Sequence, residues 1–102
     1  MSFLITQGPN GTTVTLTGEI DLERSPAARK TLMEAVGRGK PVSVDMAGVS
    51  YMDSSGIASL VEALQHAKAR GMKFILERVS PSVDRILLLA RLDKVFDIRS
   101  RA

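Results

Sequence analysis

Apolar and polar residues alternate from Thr12 to Thr17, with Val14 and Leu16 on one side and Thr13, Thr15 and Thr17 on the other. Period two in β-branched residues predicts a strand. A shorter run, Phe3 to Gln7, reads as a strand before it, and Pro9-Asn10-Gly11 lies between the two. Asn-Gly supplies the positive φ that tight hairpins use, so the chain is expected to open with a hairpin. Gly18-Glu19-Ile20-Asp21 then breaks the alternation. After it the period changes. Ser25-Pro26 reads as an N-cap followed by proline at the first helical position. Ala28, Leu32, Ala35 and Val36 share one helical face, and Gly37 and Gly39 end the helix.

The same alternation of periods repeats twice. Pro41 to Ala47 reads as a strand with Val42, Val44 and Met46 on one face, and Gly48 to Asp53 as a loop. A second helix begins near Ser54 or Ser55. Its apolar stripe is Ile57, Leu60, Val61, Leu64 and Ala67, Lys68 and Arg70 favour its C-terminal dipole, and Gly71 stops it. Its other half, with Ser59, Glu62 and Ala63, reads as exposed and open to interaction. Met72 to Glu77 is the next strand. Ser80-Pro81 repeats the cap signal, and Val83, Ile86, Leu87 and Ala90 form a third core face, widened by Leu88 and Leu89. Val95 to Ile98 reads as a last strand, and Arg99 to Ala102 as a fraying tail. The order β-β-α-β-α-β-α-β predicts an α/β fold: a mixed sheet of about five strands with three main helices. One domain spans residues 1–102.

Composition narrows the function. The chain is 44% hydrophobic and 25% charged, an ordinary globular balance. It has no cysteine, which excludes disulfides, thiolate metal sites and thiol catalysis. No basic, apolar leader opens it, and the apolar run from Ile86 to Ala90 is too short to cross a bilayer, so it is expected in the cytoplasm without membrane insertion. The formal net charge is only +3 and the basic residues are scattered. With no Trp and one Tyr there is no stacking platform, so nucleic acid is not expected as a partner. No Walker A loop, Gly-x-Gly-x-x-Gly or Gly-x-Ser-x-Gly is present. No cofactor is expected. His66 is the single histidine, mid-helix, about 16 Å along the axis from Ser55 at 1.5 Å per residue, so a serine–histidine pair is out of reach. Asp45 and Asp53 lack the paired acidic cluster of a receiver-type phosphoryl site; Asp45 is expected to order the end of its strand. An enzyme and a metal site are not expected.

The informative segment is Val49-Ser50-Tyr51-Met52-Asp53-Ser54-Ser55-Gly56-Ile57, at a strand-to-helix junction, where open α/β sheets bind ligands. Two readings coexist. Asp53, Ser54 or Ser55 can cap the helix, worth roughly 1 kcal/mol. The helix N-terminus can also tolerate a phosphoryl group on a serine.

The segment VSYMDSSGIASL closely resembles the core motif of STAS domains, specifically of bacterial anti-sigma factor antagonists. LTGEIDL at 16–22 and VSPSVDRILLLARLDKVFDI at 79–98 resemble other parts of that family in the same order and spacing. The resemblance implies that Ser55 is phosphorylated. It implies that Asp21, Asp53, Ser54, Gly56 and Ile57 face a partner, with Ser54 and Asp53 shaping the helix start and Gly56 admitting the partner's backbone. That partner is an anti-sigma factor that is also a serine kinase with a histidine-kinase-like ATPase fold. The unphosphorylated form binds it and frees the sigma factor, and a PP2C-type phosphatase resets the switch. A monomer is the default. The chain stops soon after Ile98, where many antagonists continue into another helix. That shortness also resembles the small STAS subunits of bacterial lipid-transport permease–ATPase complexes, which are not gated by phosphorylation and carry Thr or Gly where this chain has Ser54-Ser55.

Overall fold

A computed structural model describes residues 3–99. β1 (Leu4–Gly8) and β2 (Gly11–Ile20) form the expected hairpin, in register from Leu4↔Thr15 to Gly8↔Gly11. The turn differs from expectation. Pro9 and Asn10 occupy its centre, and neither Asn10 nor Gly11 has a positive φ. Proline at the first central position presets the bend. Gly11 serves proximity instead: a Cβ there would lie 2.6 Å from the Pro41 carbonyl oxygen, and Thr12 donates its N–H to that oxygen at 2.8 Å.

α1 (Ser25–Val36), β3 (Val42–Met52), α2 (Ser54–Ala69), β4 (Phe74–Glu77), α3 (Pro81–Leu89) and β5 (Asp97–Ile98) follow in the predicted order. The five strands lie in chain order, β1-β2-β3-β4-β5, antiparallel at the first pair and parallel thereafter. Each parallel step is bridged by one helix, as crossover connections require. Val14, Leu16, Val44, Met46 and Leu76 are fully buried and join Leu32, Ala35, Leu60, Ala63 and Leu87 in one apolar cluster. The alternate strand positions stay out of the core: Thr13 and Thr17 are exposed, and Thr15, Ser43, Asp45, Ile75 and Glu77 are half-buried.

Three local expectations are corrected. The segment from Gly48 to Met52 is strand, not loop. β3 carries two more residues than β2 over their shared length: Thr15 pairs with Asp45 but Thr17 with Gly48, and Gly18 with Val49 but Glu19 with Tyr51. These bulges space the buried residues as Met46, Val49 and Met52, three apart, and so hide the period of two. β2 likewise runs on through Gly18 to Ile20, with Gly18 at φ 82°. Ser25 is not the cap of α1. It is the buried first helical residue, and the turn before it is held by Asp21, whose carbonyl accepts the Ser25 N–H at 2.8 Å. Ser80 does cap α3, accepting the Val83 N–H.

The helix faces also shift. Ser59 and Ala63 on α2 are buried rather than exposed. The Ser59 hydroxyl donates to the carbonyl of Ser55 at 3.1 Å and lies 3.4 Å from that of Ser25, tying α2 to the start of α1. Glu62 pairs with Arg29 of α1 at 2.6 Å. Leu88 and Leu89 are 58% and 76% exposed and do not widen the core face of α3. Arg99 is anchored, donating its N–H to Leu76 and its guanidinium to Asp97. The rest of the expected tail lies outside the described residues.

The buried α1–α2 contact makes Ala63→Leu a test of helix pairing. On an exposed helix face this change would be close to neutral. Here the site is fully buried, so three more carbons must be fitted into the packed core, and urea denaturation should show a loss of about 1–3 kcal/mol.

Candidate functional site

The end of β3 delivers Asp53 to the first turn of α2. Asp53 is the N-cap, with extended backbone, and its N–H donates to the carbonyl of Ile20 at the end of β2. Three donors converge on one carboxylate oxygen. Asp53 Oδ1 accepts the Ser55 N–H at 2.9 Å, the Gly56 N–H at 3.2 Å and the Ser55 hydroxyl at 2.5 Å. The capping expectation therefore resolves onto Asp53, with Ser55 inside the helix. The Ser55 hydroxyl is the main cause of an Asp53 pKa held below its ordinary 3.8, with backbone N–H groups of Gly56, Ser55 and Leu22 adding to it against the cost of desolvation. Asp53 is consequently ionised at neutral pH.

Ser55 is half-buried and Ser54 is exposed. Gly56 is buried, and a Cβ there would lie 2.6 Å from the Ile20 carbonyl oxygen and 3.0 Å from Ile20 Cγ2. Its missing side chain lets α2 start flush against the end of β2, so the requirement for glycine is internal to the fold. Ile57 is 8% exposed and lies under the rim.

Asp21 stands on the neighbouring turn. Its Oδ1 accepts the N–H groups of Glu23 and Arg24, both at 3.1 Å, which fixes a short loop carrying Leu22, 75% exposed. Arg24 locks this loop from behind. Its guanidinium donates to the Glu19 carbonyl at 3.1 Å, lies 4.8 Å from the Phe3 ring centroid, and fills the space a side chain on Gly18 would need. Asp21, on the turn after β2, and Asp53, Ser54 and Ser55, at the start of α2, thus sit at the same end of the sheet.

The sequence reading missed the apolar surroundings. Tyr51, Ile57, Ile86, Leu89 and Ala90 flank Asp53 and Ser54 in an open groove of about 440 Å³ between α2 and α3. Leu89 and Tyr51 are exposed there, at 76% and 46%. The available signal was the pair Leu88-Leu89 lying off the helical stripe, and a lone Leu22 in a polar loop. Elsewhere, Asp45 lies inside β3 and not at the strand-to-loop junction expected of it; there it accepts the Ala47 N–H at 3.1 Å beside the first bulge and pairs with Arg78 at 2.6 Å. His66 is exposed on α2. Among the described residues no group of three or more His, Asp or Glu side chains is placed to hold a metal ion, and no helix is long and apolar enough to cross a membrane.

The architecture and the site together define a small α/β module whose distinctive end is a carboxylate-capped, serine-bearing helix start. The family model of the STAS domain matches residues 3–101, and the chain belongs to that family. It is 29% identical over 98 residues to the anti-sigma-B factor antagonist of Bacillus subtilis strain 168, covering 96% of this chain and 90% of that protein. Its fold is similar to the crystal structure of an anti-sigma factor antagonist from Mycobacterium paratuberculosis, with a TM-score of 0.86, 23% identity, and coverage of 95% of this chain and 83% of the other. It is also similar to the Bacillus cell fate determinant SpoIIAA in its phosphorylated form, with a TM-score of 0.75, 19% identity, and coverage of 99% and 92%.

Two outcomes follow from this geometry. Gly56→Ala improves helix propensity by about 1 kcal/mol in isolation, but the contact with backbone at 2.6 Å outweighs it, and thermal melting should show net destabilisation. Asp53→Asn keeps a capping oxygen and loses the charge. Because the folded-state pKa of Asp53 is depressed, its charge stabilises the fold above the unfolded value, and that gain is lost as pH falls through the folded value. The gap in urea midpoint between wild type and Asp53→Asn should therefore be widest near neutral pH and close as pH drops below 3.8.

Proposed function

We propose that this chain is an anti-sigma factor antagonist that works by binding rather than by catalysis, gated by phosphorylation of Ser55. In this reading the unphosphorylated form binds an anti-sigma factor in the cytoplasm and releases the sigma factor. That anti-sigma factor doubles as a serine kinase with a histidine-kinase-like ATPase fold. A PP2C-type phosphatase restores the hydroxyl, and the antagonist acts as a monomer. The name of the Bacillus subtilis relative and the phosphorylated form of SpoIIAA support the reading.

The observation that carries it is the position of Ser55, half-buried at the start of α2 with its hydroxyl held by Asp53. Around it lie the residues proposed to meet the partner: Asp21, Asp53, Ser54 and Ile57, with Gly56 setting the helix against β2. Exposed Leu22, Tyr51 and Leu89 add apolar area to the same rim. A phosphoryl group adds about −1.5 to −2 charges. The N–H groups of Ser55 and Gly56 are already bound to Asp53, so the new charge faces outward. One unit of that charge, about 6 Å from an acidic group of a docked partner at an effective dielectric near 20, costs roughly 3 kcal/mol. That corresponds to about a hundredfold loss of affinity.

Affinity co-purification of the tagged chain from its host, followed by mass spectrometry, tests the reading. It should recover an ATPase-fold serine kinase and a phosphate on Ser55. With that kinase in hand, Ser55→Asp should fold normally and bind about a hundredfold more weakly, while Ser55→Ala should bind and resist modification. Recovery of a lipid-transport permease and its ATPase, with Ser55 unmodified, would replace the switch by a transport subunit.

A further inference from the structure

We propose that the end of the molecule opposite Ser55 is a docking face for an anionic membrane surface, on which the chain rests peripherally with its Ser55 end turned outward. The proposal does not depend on the phosphoacceptor reading.

The basic residues are dispersed along the sequence, and the topology collects them. β2 to β5 run parallel, each joined to the next by a helix, so the three helix-to-strand loops all lie at the leading end of the sheet. These loops are residues 37–41, 70–73 and 90–96. Strand spacing of about 4.8 Å puts the starts of β3, β4 and β5 within about 10 Å of one another. The Val42 N–H donates to the Lys73 carbonyl at 2.9 Å, joining the first two loops directly. Together the loops carry Arg38, Lys40, Arg70, Lys73, Arg91 and Lys94, all exposed, and one acid, the half-buried Asp93. Six cations and one acid give +5, against +3 for the whole chain, so all other residues sum to −2. Of the nearby carboxylates, Glu34 pairs with Arg38 at 3.4 Å and Asp97 with Arg99 at 2.8 Å.

Helix C-termini attract cations through their dipoles, and this accounts for Arg70, which donates to the Val36 carbonyl at 3.4 Å. It does not account for Lys40 and Lys94. Both lie past the helix ends, and their side chains make no ion pair or hydrogen bond with another described residue. Arg91 is a further sign. It follows α3 with φ 61°, in the left-handed position where glycine is usual, and Leu92 closes the turn by donating its N–H to the Leu87 carbonyl at 2.8 Å. An exposed arginine is kept where glycine would sit with less strain.

The apolar component identifies the occupant. Leu88, in the last turn of α3, is 58% exposed and Val95 is 44% exposed, both beside these cations. Aliphatic side chains among Lys and Arg suit the headgroup and upper acyl region of an anionic bilayer. A single-stranded nucleic acid would be met by stacking aromatic rings, and the one aromatic residue of these loops, Phe96, is buried. The opposite end carries Asp21, Glu23 and Asp53, which the same membrane repels, and this orients the chain.

The test is flotation of the full chain with vesicles of phosphatidylglycerol and phosphatidylcholine in equal parts, against vesicles of phosphatidylcholine alone. Binding should appear on the anionic vesicles only and weaken as salt is raised. Each cation near such a surface is worth about fivefold in partition. Lys40→Gln/Lys94→Gln should therefore cut binding about 25-fold, while Lys30→Gln/Arg85→Gln, the same change of charge on α1 and α3 away from the face, should cut it less than about threefold. Leu88→Ser/Val95→Ser should weaken binding at unchanged charge. Arg91→Gly should weaken it about fivefold and melt no lower than wild type, which separates a lost contact from a lost fold. No binding to anionic vesicles at low salt, equal losses in the two charge pairs, or full binding by Leu88→Ser/Val95→Ser would each overturn the proposal. In the last case, tighter binding to duplex DNA would assign the face to nucleic acid.

Discussion

A single carboxylate oxygen, Asp53 Oδ1, holds the first turn of α2 together by accepting two backbone N–H groups and the Ser55 hydroxyl. The first N–H groups of a helix have no partner within it, and a side chain must supply one. Here the residue that meets this need also sets the rotamer and hydrogen bonding of the neighbouring serine. Helix stability and the state of that hydroxyl are therefore linked through one atom. Gly56 completes the arrangement, since any side chain would push α2 off the Ile20 carbonyl and carry Asp53 and Ser55 with it.

The sheet explains how Asp53 comes to be there. The two bulges of β3 let Met46, Val49 and Met52 remain in the core while the strand gains two residues on β2. Both strands then end together, and the Asp53 N–H meets the Ile20 carbonyl. Beyond Ile20, Asp21 folds its own loop, and Arg24 pins that loop to Glu19 and Phe3. Beneath α2, Ser59 and Ala63 are packed at the α1 side. The site rests on fixed supports on both sides, so a change of charge at Ser55 is not readily absorbed by movement of its base.

Most of the fold is legible in the sequence because its elements follow single periods. The first part of β2, through Thr17, the core face of α1 and the apolar stripe of α2 can be read from alternation or helical spacing alone. The failures have physical causes. Bulges at Ala47 and Ser50 stretch the spacing of buried residues from two to three, which makes a strand look like a loop. The small residues Ser59 and Ala63 suit close helix packing but resemble surface by composition, so the α1–α2 contact is not visible. Leu88 and Leu89 extend an apolar run past the core, and only the placement of α3 shows that they face outward. At the site, Asp53-Ser54-Ser55-Gly56 announces a helix start. Which group caps it depends on backbone geometry: Asp53 is extended and Ser55 is helical.

That assignment alters the electrostatics of a phosphate at this position. A helix N-terminus ordinarily favours an anion through its free N–H groups and the positive end of its dipole. In this chain the Asp53 carboxylate already occupies that role, and the Ser55 hydroxyl together with the N–H groups it accepts holds its pKa below the ordinary value. A phosphoryl group on Ser55 would have to expel Asp53 from the cap or project past it. Expulsion costs the cap and sets two anions side by side, whereas projection leaves the phosphate toward solvent and any docked surface. The second arrangement preserves the fold and places the added charge where, in the function proposed above, the partner docks. A helix start capped by a carboxylate is therefore poor at neutralising a phosphate internally, and for that reason well suited to presenting one.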